Sequence, residues 1–117
     1  MAETQKFNFG DSSVAAIYDE VLVPILFKPW ASRIIEENVP WEGRRVLDIA
    51  TGTGIFAQLA AGAVGQVGVV KAVDINSEML DLARKRCDSI VPEVQFIQTS
   101  ADFLEIPNDS IDFVVSQ

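Results

Sequence analysis

"VLDIATGTG", residues 46–54, decides the fold. Val46, Leu47 and Ile49 form an apolar run that climbs into a glycine-rich turn. With its neighbours, "RRVLDIA" reads as a short strand buried on both faces, as parallel strands are. One residue is out of keeping. Asp48 is a carboxylate placed just before Gly52 and Gly54, where a nucleotide-binding loop would begin.

Reading outward toward the C-terminus, "IFAQLAAGAV" is a helix with Gly65 as its stop. "GVVKAVD" is a second strand. "NSEMLDLARKRC" is a helix, capped by Asn76 and carrying Lys85 and Arg86 at its end, where cations suit the dipole. "EVQFIQTS" and "IDFVVS" are a third and a fourth strand. Strands alternating with helices argue an α/β fold, a Rossmann-like doubly wound parallel sheet. Reading toward the N-terminus, a helix opens at Asp11 or Ser12 with Val14, Ile17, Tyr18, Val21 and Leu22 on one face. Pro24 is expected to interrupt it. A second helix opens at Pro29, carries Trp30, Ile34 and Ile35, and ends near Asn38. The expected division is an N-terminal helical cover, 1–42, and a Rossmann-like cofactor-binding portion, 43–117. Such sheets usually need further strands and a covering helix, so the sequence reads as a domain truncated after its fourth strand.

Composition narrows the function. The 117 residues are 49% apolar, as in a globular chain. Acidic residues outnumber Lys and Arg by 17 to 9, the reverse of a surface that tracks phosphates, so nucleic acid is not an expected partner. The absence of histidine removes His triads, His bases and His metal sites. A lone cysteine, Cys87, excludes an internal disulfide and a multi-Cys metal site, and suits a cytoplasmic protein. No metal is expected. The first residues lack the apolar core of a signal peptide, and "VLVPILF" is too short to span a bilayer, so no membrane role is expected either.

Gly52, Gly54 and Ala57 satisfy G-x-G-x-x-G/A, a pattern that also fits a tight strand-to-helix turn without a ligand. The second strand adds Asp74, placed 74 − 54 = 20 residues after the last glycine. That interval suits a carboxylate that accepts hydrogen bonds from ribose hydroxyls. Asp48 then separates two cofactors. A dinucleotide would place its pyrophosphate over the turn, where a carboxylate repels it by about 4 kcal/mol per unit pair at about 4 Å and an effective dielectric of about 20. S-adenosylmethionine carries a sulfonium and an ammonium instead, which a carboxylate favours. The alternative for Asp48 is a strand residue tied to a nearby backbone group.

These residues resemble the class I S-adenosylmethionine-dependent methyltransferases, particularly the small-molecule, quinone-biosynthesis type, and the resemblance covers most of the chain. "VLDIATGTG" resembles the family's first motif, D/E-x-G-x-G, with Ala50 where the first glycine often sits and Gly52 and Gly54 on the next two. "AVDINSEML" resembles the second motif. There the resemblance implies that Asp74 holds the ribose and that Ile75 and Met79 pack on the adenine. "FIQTSADFLEIPNDSIDFVVS" resembles the third-strand segment, with Ser100 where the family has an Asp that accepts the adenine amino group, and Ala101 on the family's alanine. Asp102 is the candidate substitute for that carboxylate. "YDEVLVPILFKPWA" resembles a segment preceding the first motif, which implies that its helices cover the cofactor and that Tyr18 reaches the methionine end.

The resemblance implies methyl transfer from S-adenosylmethionine to a small-molecule acceptor. It assigns no catalytic residue, because the reaction chiefly needs alignment. Two other classes remain: a non-catalytic, truncated cofactor-binding or assembly module, and an NAD-dependent oxidoreductase, which Asp48 disfavours. In the family's strand order, 3-2-1-4-5-7-6, the fourth strand is interior. Here "IDFVVS" is expected to form an open edge and to drive self-association.

Overall fold

The computed structural model describes residues 12–105 and 110–116. It contains α1 (Ser12–Ile17), a π-helical segment (Tyr18–Phe27), α2 (Lys28–Glu37), β1 (Arg45–Ile49), α3 (Ile55–Val64), β2 (Val69–Asp74), α4 (Ser77–Arg86), β3 (Gln95–Gln98) and β4 (Phe113–Ser116). The four strands form one parallel sheet in the order β3-β2-β1-β4. The doubly wound α/β reading is thereby met. The chain steps outward from β1 to β2 to β3, then returns to the other side of β1 for β4. The β1/β4 boundary is therefore the point where the winding reverses, and ligands of such sheets sit outside the carboxyl ends of the strands at that point.

The expected break at Pro24 does not occur. The helical path runs from Ser12 to Glu37, and Pro24 lies inside the π segment. In an α-helix a proline removes a donor and crowds the carbonyl four residues back. Here the local bonding is wider, with the Lys28 N–H donating to the Val23 carbonyl five residues back. The wider turn also changes which side chains face inward. Val23 is buried, whereas Ile17, Val21 and Leu22 are exposed, so the apolar face expected from α-helical spacing is corrected. The proposed cap Asp11 lies outside the described residues. Elsewhere local chemistry acts as expected. Pro29 sits in the first turn of α2, Gly65 ends α3, and the Asn76 side chain accepts from the Met79 N–H at 3.0 Å to start α4.

Val46, Leu47 and Asp48 in the middle of β1 are buried; β2 and β4 pair its two edges, and α3 lies against it. α3 suits that position, since Ala57, Ala60 and Ala61 let it approach closely. The helical cover joins the same core through Trp41. Its indole N–H donates to the Ile35 carbonyl at 2.7 Å, and its ring lies 6.3 Å from Phe56 and 4.6 Å from Phe113. At the amino end of the β1/β4 pair, Arg45 grips the Asp112 carboxylate with Nε at 3.1 Å and Nη2 at 3.0 Å. That grip holds the Asp112 carboxyl down at about 2. Among the described residues, no helix is long and apolar enough to cross a membrane.

Candidate functional site

The site begins where β1 ends. Ala50 takes a left-handed φ of 61°, and Gly52 and Gly54 follow at 60° and 88°. Three positive φ values in five residues turn the chain sharply from strand to helix. Asp74, at the end of β2, fixes this turn. Its Oδ2 accepts from the Gly52 N–H and its Oδ1 from the Asn76 N–H, both at 2.9 Å. One carboxylate therefore ties the glycine turn to the start of α4. The Thr51 N–H donates to the Val73 carbonyl at 2.9 Å, which adds a second tie to β2.

Gly54 carries a packing role in addition to its positive φ. A Cβ there would lie 2.9 Å from the Ala83 Cβ, so the glycine lets α3 and α4 meet. Helix packing at the rear of the turn thus needs a glycine at this position. The end of α4 also holds the turn, with Arg86 Nε donating to the Thr53 carbonyl at 3.0 Å. Sequence reading placed Arg86 only as a dipole partner. No spacing signal marks an arginine that reaches back to a turn 33 residues earlier.

Asp48 is fully buried beneath the turn. Its Oδ2 accepts from the Thr51 hydroxyl at 2.8 Å, and its Oδ1 has no hydrogen-bond partner among the described residues. The tie runs to a side-chain hydroxyl and not to a backbone amide. Burial pushes the Asp48 carboxyl up to about 7; the Thr51 bond opposes the rise and the nearby Asp74 charge adds to it. Thr51 is a residue that sequence reading missed. Its signal is its place three residues after Asp48, where the turn folds it back. Thr53 is also buried, and its hydroxyl lacks a partner among the described residues. Cys87 is inert: burial raises its thiol to about 11 despite the neighbouring Arg86.

A cleft of about 220 Å³ opens over the carboxyl ends of β1, β2 and β3. It brings together Ala50, Asp74, Ile75, Ser100 and Ala101 of the expected set, with Thr99 added. Ile75 is exposed, and the Ser100 hydroxyl is buried without a hydrogen-bond partner among the described residues. Met79 is a core residue, only 4% exposed. Asp102 sits exposed on a short 3-10 turn and does not line the cleft. Tyr18 lies in the π segment, and its side chain falls outside the described residues. A second cavity, of about 420 Å³, lies at the carboxyl end of β4 between Ser116 and the helical cover, lined by Leu26, Phe27 and Trp30. Among the described residues, no cluster of His, Cys, Asp and Glu could hold a metal ion.

Residues 46–117 match the methyltransferase domain family. Over 107 residues the chain is 40% identical to the ubiquinone/menaquinone biosynthesis C-methyltransferase of Ectopseudomonas mendocina, covering 87% of this chain and 42% of that protein. It is 35% identical over 118 residues to the protein of the same name from Coxiella burnetii, covering 97% of this chain and 47% of that one. The chain thus spans less than half the length of these two curated relatives. A solved SAM-dependent methyltransferase from Aquifex aeolicus superposes with a TM-score of 0.74 at 26% identity, covering 95% of this chain and 57% of that one.

Proposed function

The chain belongs to the methyltransferase domain family, in its S-adenosylmethionine-dependent class I branch, and from that premise we propose that its glycine turn binds S-adenosylmethionine for methyl transfer to a small apolar acceptor. The observation that carries this reading is the pair of carboxylates at the turn. Asp74 grips the turn itself, and Asp48 lies buried beneath it with one oxygen unpartnered among the described residues. A pyrophosphate gains nothing from an acid at the turn, whereas a cationic ligand head is complementary to Asp48 once that carboxyl is ionised.

The residues present fit that cofactor. Each Asp74 oxygen holds one N–H and keeps acceptor capacity for a ribose hydroxyl. The Ser100 hydroxyl, buried and unpartnered among the described residues, is placed to meet a polar edge of the base. Ile75 offers an apolar surface at the cleft, whereas Met79 is buried and does not line it. When bound, the cofactor supplies an electrophilic methyl group on sulfur. The chain's contribution is to orient the nucleoside and exclude water, and no residue of the site is assigned as a base.

The cavity beside Leu26, Phe27 and Trp30 lies at the winding reversal, next to Ser116. An apolar, flat acceptor suits it, and the names of the relatives point to a ring of the ubiquinone/menaquinone biosynthesis kind. The single buried thiol suits a cytoplasmic setting. Self-association through β4 is the partner reading that goes with its open edge.

Calorimetric titration tests the cofactor. S-adenosylmethionine binds and NAD does not, and Asp74→Ala weakens binding by about 1.5–3 kcal/mol for a lost charged hydrogen bond. NAD binding without S-adenosylmethionine binding overturns the reading.

A further inference from the structure

Asp48 is placed badly for a permanent charge. It is fully buried, one oxygen holds a single hydroxyl, and the other holds nothing among the described residues. An ionised carboxylate in that position leaves a buried charge half satisfied, which costs far more than a neutral acid does. Among the described residues, the groups around it do not relieve this. On β2, Asp74 adds like charge, and Lys71, one residue before the Asp48 partner Ala72, falls on the opposite sheet face by strand alternation. From the end of α4 come Arg86, which is bonded to the Thr53 carbonyl, and, just beyond it, the Cys87 thiol, which stays protonated. α3 and β4 carry no ionisable side chain.

We propose that Asp48 is a protonated acid in the ligand-free chain at neutral pH and that the arrival of a cationic ligand head at the turn expels its proton. This rests on the cofactor reading above and adds a coupling to it. The O–H bond of the carboxyl breaks, the proton leaves to solvent, and the carboxylate left behind is balanced by the ligand's positive charge. Capture of the ligand is then exchange of one cation for another, with no net charge buried. An anionic dinucleotide gains nothing from that exchange, so the coupling also selects between cofactors.

Calorimetry of S-adenosylmethionine binding in buffers of different ionisation enthalpy counts the protons released. The expected count is about one per ligand at pH 6, falling toward none at pH 9, with affinity rising about tenfold between pH 6 and pH 8. Asp48→Asn, which is neutral at every pH, releases none, and its comparison with the parent removes any contribution from the ligand's own amine. Should that variant fail to fold, the carboxyl carbon resonance of Asp48 supplies the same answer in the unmodified chain. It should titrate near neutrality without ligand and stay ionised at pH 6 with it. A heat of binding independent of buffer at pH 6, or a carboxyl already ionised at pH 5 in the free chain, overturns the proposal and leaves the cofactor reading standing. Absence of any S-adenosylmethionine binding in a folded chain overturns both.

Discussion

Ala50 and Gly54 occupy one turn and impose opposite requirements on it. Ala50 holds φ at 61° with a Cβ, a conformation that costs an L-residue about 1–2 kcal/mol. Gly54 holds 88° without one, and Ala83 closes off the space a Cβ would need. Ala50→Gly therefore relieves strain at a small cost in chain entropy, and should stabilise the protein by about 0.5–1 kcal/mol. Gly54→Ala drives α3 and α4 apart and should destabilise it by about 1–3 kcal/mol. Denaturant unfolding of both variants checks the pair. A destabilised Ala50→Gly would mean that the turn is held from outside and not by its own backbone.

At the scale of elements, the strands and the ends of the later helices were legible in the sequence because their signals are local. Apolar runs broken by turns gave β1 to β4, Gly65 gave the stop of α3, and Asn76 gave the start of α4. The π segment was not legible. A proline in sequence reads the same whether the helix ends or widens, as it does around Pro24. The site divides in the same way. Asp74 was legible from its interval to the glycine turn, and Ile75 and Ser100 only through the family resemblance; the fold brings all three to one cleft, while Thr51 and Arg86 act across a fold that neither signal describes. The Asn76 cap permits a direct test. Its side chain satisfies one free N–H of α4, so Asn76→Ala should cost about 1 kcal/mol. Because α4 supports the glycine turn through Arg86, the same variant should also weaken S-adenosylmethionine affinity when followed by titration.

At the scale of the whole molecule, β4 has a paired neighbour on one side only among the described residues. Val114 is 60% exposed there, and no charge or proline in Phe113–Ser116 blunts the edge. Unpaired N–H and C=O groups beside an apolar side chain are a template for another strand. Ile25 and Leu26 of the helical cover are exposed as well. For residues 1–117 taken as a separate chain, sedimentation at micromolar concentration tests the proposed pairing: dimers or larger species that Val114→Lys shifts toward monomer support it. A parent chain that sediments as a well-folded monomer would remove the self-association reading.

The placement of the two tryptophans gives the protein an internal optical gauge. Trp41, nearly solvent-free, touches Phe113 of the last described strand from a position 72 residues earlier in the chain, counted as 113 − 41. Its emission should be blue-shifted only when β4 has docked on β1, so the colour of its fluorescence reports closure of the most distant contact in the sheet. Trp30 borders the cavity at the end of β4 and remains partly open to water. An aromatic molecule entering that cavity should quench Trp30 and leave Trp41 unchanged. One spectrum thus separates folding from occupancy, and a Trp30→Phe variant assigns each signal to its indole.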